Sequence, residues 1–475
     1  MTTETLNPPL RTRGAIEASK TLSIHLTIGG DIRIPLNSIP QPLLEIITAD
    51  LTLDNPAYAS AVRMGRYTGN IPQRLTMWAL EEGILTVPRG YGQTLLKRCR
   101  TLGIQFVTDD RRLTLPPVTF ESRIKLRPYQ VLAVERLVQM LAGGLVAPCG
   151  SGKTTAGLKA IADVGQPALV IVATLELALQ WIDRATQFLG IPREEIGLIG
   201  NGKRTIGTRL TVGLVQTLSK MDLTEIRERF GLVILDEAHH APASTFQRVF
   251  AAFPAIYRLW LSATPERQDG LHPILYAVGG PILHTISRAD LPTVTPVLRV
   301  IETDFTDCDD DYSALLTRLT QDERRNRLIV DAIAQNALGH YSLVLSERVD
   351  HLEVLHKMLA DISPNLRAAT LTGRMSKRER EQTMAAIQAR EIDVLFSTQL
   401  AREGLDIVHL DQLFMTCPKR AASAVEQEIG RIMRPAEGKA GATVWDFWDS
   451  GSPMPRGQFW RRRDVYRKLG MEVSV

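Results

Sequence analysis

Ala147-Pro148-Cys149-Gly150-Ser151-Gly152-Lys153-Thr154 is the stretch whose reading decides the fold. It follows a short apolar run, Gly144–Ala147, and leads into a helical pattern from Thr155 onward. A strand, a loop of small residues and a helix in that order form a phosphate cradle. Small side chains let successive backbone N–H groups curl around anionic oxygens, and the helix N-terminus adds partial positive charge. Lys153 is placed to reach β- and γ-phosphates, and the Thr154 hydroxyl to ligate Mg²⁺. Ala147 stands where the generic motif has its first glycine. The expected ligand is ATP with Mg²⁺.

Outward from this loop, buried-strand runs alternate with helical patterns. Ala168–Ala173, Leu210–Val215, Leu232–Leu235 and Leu259–Ser262 are short and rich in Val, Leu and Ile, as in strands covered on both faces. Leu175–Leu189 and Thr245–Phe253 read as helices between them. Strand–helix alternation predicts a doubly wound parallel sheet. The run Leu232–Leu235 continues into Asp236-Glu237-Ala238-His239-His240. Carboxylates at the carboxyl end of such a strand lie in the ligand crevice. Asp236 is expected to hold Mg²⁺ and Glu237 to polarise the attacking water. Upstream, Arg127-Pro128-Tyr129-Gln130 offers an amide for the adenine edge, or is a helix start with proline near its first position.

After about residue 290 the pattern repeats. Ser342–Leu345, Ala368–Leu371, Asp393–Phe396, Gln412–Met415 and Thr443–Asp446 are candidate strands, and the acidic segment Asp304–Asp311 reads as a solvated linker or loop. Before residue 119 the pattern differs. Leu22–Thr27 and Asp31–Pro35 alternate like strands, while Pro40–Leu53, Thr76–Gly83 and Gln93–Leu102 read as helices. The fold class expected is α/β, with two tandem doubly wound parallel-sheet lobes, 119–290 and 291–475, and an α+β accessory domain, 1–118.

A chain of 475 residues suits two or three domains, and 44% apolar with 23% charged residues suits a globular protein. A net charge of +4 permits a polyanionic partner without requiring one. The four cysteines have no spacing for a zinc knuckle or a disulfide framework, which points to a reducing compartment. No apolar run is long enough to span a membrane, and Glu4 with its threonine neighbours is not a secretory leader. The expected location is cytoplasmic: nucleoid-associated, or the host cytoplasm for a viral protein.

Taken together, these motifs resemble the superfamily 2 helicases, on the branch with XPB-type repair helicases and phage UvsW. The resemblance covers about residues 119–450. Arg127–Gln130 resembles the adenine-reading motif, Ala147–Thr154 motif I, Thr174–Trp181 motif Ia, Gly213–Leu218 motif Ic, Asp236–His239 a DEAH-type motif II and Ser262–Pro265 motif III. In the second lobe Val344–Arg348 resembles motif IV, Leu371–Arg374 motif IVa, Ser397–Asp406 motif V and Gln427–Arg434 motif VI. An initial alanine in motif I is common in this superfamily. Gln268 replaces the glutamate of the Arg-Glu-Asp element found after motif III in XPB-type proteins.

The resemblance implies two RecA-like lobes with a nucleotide between them. Pro148, Cys149, Ser151 and Thr155 join Ala147, Gly150, Gly152, Lys153 and Thr154 on the phosphate side, with Arg127 and Gln130 on the base. From lobe two, Gly404 and Asp406 would touch the nucleotide, Gln427 position water, Arg431 contact the γ-phosphate and Arg434 serve as arginine finger. Thr174, Thr217, Thr372 and Thr398 would contact the nucleic-acid backbone, which short hydroxyls suit without reading sequence. The basic, aromatic-rich stretch from Arg456 to Lys468 would lean on DNA or form a helix on lobe two. The partner implied is DNA, single-stranded or branched, read without sequence preference; a nuclease or loading factor is a further partner to consider. The activity implied is a DNA-stimulated ATPase and 3′→5′ helicase or translocase in repair, recombination or replication. A duplex translocase without extensive unwinding and the motor subunit of a restriction or defence complex remain open beside it, whereas the complete motif II and both motif VI arginines argue against an ATP-gated clamp.

Overall fold

In the computed structural model the described residues are 23–148, 150–237, 243–263, 270–292, 294–309, 311–398, 407, 409–419, 422–434, 436 and 438–473. The chain divides into two compact units, Met1–Arg111 and Arg112–Val475.

The first unit is α+β. Its strands are β1 (Ser23–Ile28), β2 (Asp31–Pro35), β3 (Thr52–Asp54), β4 (Arg74–Thr76), β5 (Ala79–Glu81), β6 (Ile84–Pro88) and β7 (Gln105–Asp110). Five of them form a sheet in the order β5-β6-β2-β1-β7, and β3 pairs with β4. Helices Gln41–Asp50 and Gly92–Thr101 bury Leu43, Ile47, Leu95 and Cys99. The expected helix at Thr76–Gly83 is instead the β5–β6 hairpin. Glu82 and Gly83 both take positive φ, 50° and 73°, the geometry of a two-residue primed turn. Leu80 pairs with Leu85, so cross-strand contact overrides the helix propensity of Ala, Leu and Glu. The helix expected over Pro40–Leu53 ends at Asp50, and Thr52–Asp54 pairs as β3.

In the second unit, residues 113–118 hydrogen-bond to the lobe that follows. Leu113 N donates to Pro254 O, and Val118 N to Gly165 O. That lobe holds β8 (Ala142–Val146), β9 (Ala168–Val172), β10 (Gly197–Gly200), β11 (Lys203–Arg204), β12 (Leu210–Leu214), β13 (Leu232–Asp236), β14 (Tyr257–Ser262) and β15 (Ile282–Thr285). Their order is β11-β10-β12-β9-β13-β14-β8-β15, and all pairings except β10–β11 are parallel. Every residue of β9 and β13 is buried, as their unbroken apolar runs require. The Leu175–Leu189 helix lays Leu177, Ala178, Trp181, Ile182, Ala185 and Leu189 on the core, an i, i+3, i+4 stripe. Thr174 caps its start and Gly190, at φ 64°, its end.

The second lobe is a six-stranded parallel sheet, β16 (Val297–Glu302), β17 (Ser342–Ser346), β18 (Ala368–Leu371), β19 (Val394–Thr398), β20 (Gln412–Met415) and β21 (Thr443–Trp448), ordered β16-β21-β20-β17-β19-β18. The acidic segment lies inside this lobe and is not a linker. β16 precedes it and pairs with β21, and Arg318 binds both Asp307 and Asp309 at 2.5 and 2.8 Å. Asp311 caps the Tyr312–Gln321 helix. The basic C-terminal stretch is the helix Pro453–Lys468. Phe459, Arg462 and Tyr466 face the lobe, and Arg462 forms a fully buried pair with Asp446 at 2.8 Å. Arg456, Arg461 and Arg467 are exposed. No described helix is long and apolar enough to cross a membrane.

Candidate active site

Parallel sheets gather their loops at the carboxyl ends of the strands, and the chemistry of this chain collects there. β8 runs into the phosphate loop, where Gly150 and Gly152 take φ of 85° and 81°. A side chain at either position would be strained. At Gly152 a Cβ would also lie 2.4 Å from Nε2 of Gln130. The helix Lys153–Val164 starts immediately after the loop. The segment thus has the strand, loop and helix order expected from sequence.

β13 ends in Asp236 and Glu237. Asp236 is buried, and its Oδ2 accepts a 2.7 Å hydrogen bond from Trp181 Nε1. Burial first, and the charge of Glu237 second, push the Asp236 carboxyl up to about 6; the Trp181 bond and Lys153 oppose this. Glu237 has φ of 49°, uncommon for a residue with a Cβ, and its N–H donates to Asp236 Oδ1 at 3.0 Å. The strained backbone turns the glutamate toward the phosphate loop. Lys153 Nζ lies 3.3 Å from Glu237 Oε1 and donates to Ala147 O at 3.2 Å. The loop lysine and the two acids thus form one half-enclosed cluster.

Gln130 is buried and supports the loop from below. Its Oε1 accepts from Arg127 N at 2.9 Å and its Nε2 donates to Ser151 O at 2.7 Å. Its amide is committed to the protein here. Arg127 is exposed, with Nη1 bonded to Tyr129 Oη at 2.9 Å. Pro148, Thr154 and Thr155 are half-buried, and Ala147 and Ser151 are buried.

The second lobe meets this site through the end of the helix Ala422–Ile432. Arg434, two residues past that helix, packs on the phosphate loop: a Cβ built on Gly150 would lie 3.3 Å from both its Cγ and its Nε. Gln427 and Arg431 are half-buried on the helix itself. Cys149, Gly404 and Asp406, with residues 238–242 and 264–269 of the flanking motifs, lie outside the described residues.

Sequence reasoning gave no role to three further groups. Trp181 orients Asp236, and its place on the apolar stripe of a motif-bearing helix was the available signal. Lys439 donates to the carbonyls of Leu410, Ile432 and Arg434 and so caps the helix end that presents Arg434. Arg288 joins the lobes, contacting Glu426 at 3.0 Å and Met433 Sδ at 3.2 Å. Neither Lys439 nor Arg288 lies in a recognisable motif.

The four threonines occupy different settings. Thr174 accepts from Leu177 N at 3.3 Å as a helix cap. Thr217 is half-buried on the short helix Val215–Leu218. Thr372 and Thr398 are buried, and the Thr398 hydroxyl is buried without a hydrogen-bond partner among the described residues.

Comparison with known proteins agrees with this arrangement. A family model described as the type III restriction enzyme res subunit matches residues 123–267, and one described as the helicase conserved C-terminal domain matches residues 324–436. A protein of Acanthamoeba polyphaga mimivirus, named provisionally as an ATP-dependent RNA helicase, is 28% identical over 367 residues, covering 74% of this chain and 69% of its own length. The DNA 3′-5′ helicase XPB of Kineococcus radiotolerans is 28% identical over 332 residues, covering 65% of this chain and 57% of its own length. The chain thus spans 57% to 69% of these two relatives. Among solved structures, S. cerevisiae Dbp5 bound to RNA and ADP BeF3 aligns with a TM-score of 0.55 at 16% identity, covering 73% of this chain and 89% of that one, a likeness of fold. With helicase models on both lobes and the motifs in order, the chain is a two-lobed helicase similar to the XPB-type members of superfamily 2.

Proposed function

We propose that this chain is a DNA-stimulated, Mg²⁺-dependent ATPase that moves 3′→5′ and unwinds or remodels branched DNA. The observation that carries the reading is Arg434 of lobe two lying against Gly150 of the lobe-one phosphate loop. A site with one wall on each lobe makes nucleotide state and lobe position a single variable. The 3′→5′ sense and the choice of DNA rest on the XPB-type relatives.

The residues fit the divalent ion that such ATPases use. Asp236 lies beside Glu237, whose charge Lys153 only partly offsets; burial first and the Glu237 charge second raise the Asp236 carboxyl. Thr154 and Asp236 would hold the ion, which when bound neutralises developing phosphate charge. Lys153 and Glu237 pair with one another at 3.3 Å. Triphosphate oxygens would draw Lys153 away, releasing the carboxylate to accept a proton from the attacking water. Arg434 and Arg431 would then stabilise charge on the transferring phosphoryl group. Thr174, Thr217, Thr372 and Thr398 would contact the DNA backbone, and the first compact unit, which ends at Arg111 rather than at the expected residue 118, would be an accessory DNA-binding domain.

ATP turnover measured with single-stranded, duplex, forked and four-way DNA and with RNA, alongside strand displacement from each tail polarity, tests this reading. Stimulation by DNA with displacement from 3′ tails is expected. Absence of stimulation by every DNA would overturn it. A second reading, the motor subunit of a restriction complex, is favoured by the description of the lobe-one family model; it predicts co-purification with a nuclease chain.

A further inference from the structure

Lobe one carries a basic recess apart from the nucleotide site; motif Ic supplies Gln216 and Thr217 to its wall, whereas Lys203, Arg204 and Lys220 belong to no motif. We propose that the β10–β11 hairpin and the helix after β12 form a phosphodiester-binding site that extends the nucleic-acid track. The proposal rests on the reading of the chain as a nucleic-acid motor and assigns that motor an additional grip. The recess has a volume of about 420 Å³ and is lined by Lys203, Arg204, Gln216, Thr217, Lys220 and Met221.

Topology places it. The order β11-β10-β12-β9-β13 sets the carboxyl-end loops in a row. Asp236 follows β13, Thr174 follows β9, Thr217 follows β12, and the hairpin turn follows β10. Neighbouring strands are spaced at roughly 4.8 Å, so the hairpin lies on the order of 10–15 Å beyond Thr174, on the side away from the nucleotide. That distance covers roughly three to four phosphates at the ~3.4 Å rise of one duplex strand. The turn is a two-residue hairpin turn: Asn201 and Gly202 have φ of 50° and 75°, and Gly200 pairs with Lys203. Thr205 ties the hairpin's base to Leu198 through both backbone and hydroxyl bonds.

Charge selects the ligand. Lys203, Arg204 and Lys220 are exposed, no acidic side chain lines the recess, and among the described residues none of the three is in an ion pair. Other arginines of the same lobe are neutralised: Arg209 binds Glu195 at 2.6 Å, and Arg193 binds Asp183. Three unpaired cations beside a hydroxyl and an amide suit a polyanion backbone and read no base.

The test is the salt dependence of oligonucleotide binding by the full chain. Each phosphate neutralised contributes about 0.7 to the slope of log K against log salt for single strands and about 0.9 for duplex. The triple variant Lys203→Ala, Lys220→Ala and Arg204→Ala is therefore expected to lower the slope by about 2 on single strands. Its ATPase rate without nucleic acid should equal the parent's. A control variant removing equal charge from the C-terminal helix, Arg456→Ala, Arg461→Ala and Arg467→Ala, should keep the parent slope. An unchanged slope in the hairpin variant, or an equal loss in the control, would overturn the site while leaving the motor reading intact. A parent chain that binds neither DNA nor RNA would overturn both. DNA and RNA arms show which backbone the site accepts.

Discussion

Arg434 lies against Gly150, with its Cγ and Nε both 3.3 Å from where a Cβ on that glycine would sit. One residue of lobe two thus occupies the space that a side chain on the lobe-one phosphate loop would need. If this guanidinium stabilises transferred charge, Arg434→Ala should lower the stimulated turnover rate by roughly 10³ or more, as loss of an arginine finger does. Nucleotide affinity should change far less, because the cradle itself is intact. Equal losses in turnover and in affinity for a non-hydrolysable ATP analogue would show that Arg434 acts in binding alone.

Glu237 sits in a strained backbone, paired to Lys153 at 3.3 Å. Glu237→Gln keeps the shape and a hydrogen-bonding group but cannot take a proton. Binding of ATP should persist and turnover fall to background in a single-turnover assay. Turnover near the parent rate would reassign the general base.

The environment of Asp236 predicts a pH dependence of stability in the absence of nucleotide and metal. An unfolded carboxyl releases its proton near the ordinary value of 3.8, whereas this one holds it up to about 6. Between these values the folded chain binds more protons, so the contribution of this group is full below 3.8 and is lost as pH rises through 6. The difference in Tm between Asp236→Asn and the parent should grow in favour of the variant from pH 4 to pH 7. A difference that stays constant over that range would mean the carboxyl ionises normally in its buried site.

Much of this was legible because it depends on local order. The phosphate loop, the acids after β13 and the fully apolar strands are contiguous in sequence, and their periodicity names their structure. What was not legible depends on partners far along the chain. Residues 76–83 carry good helix formers, yet their fate is set by pairing with β6. Arg462 reads like its neighbours in a basic run, but Asp446, 16 residues earlier, takes it into the core at 2.8 Å. Lys439 carries no motif, and its role exists only because three carbonyls from two segments converge on its amine.

Arg288 gives the junction between the lobes a second testable link. It follows β15 and reaches Glu426, which sits on the helix carrying Gln427 and Arg431 and is also bound by Lys468 at 3.1 Å. Both partners are about four-fifths buried, with side-chain exposures of 21% and 18%, so solvent screens the pair less than a surface bridge. Replacing Glu426 leaves two cations facing each other, whereas replacing Arg288 leaves Glu426 with Lys468. Glu426→Ala should therefore be the more harmful single change. If the pair transmits lobe position to the arginine helix, a double-mutant cycle with Arg288→Ala on DNA-stimulated turnover should show a coupling of about 0.5–3 kcal/mol. The ATPase rate without DNA should be nearly unaffected in Arg288→Ala. Additive effects on stimulated turnover would reduce the bridge to a local contact with no part in coupling.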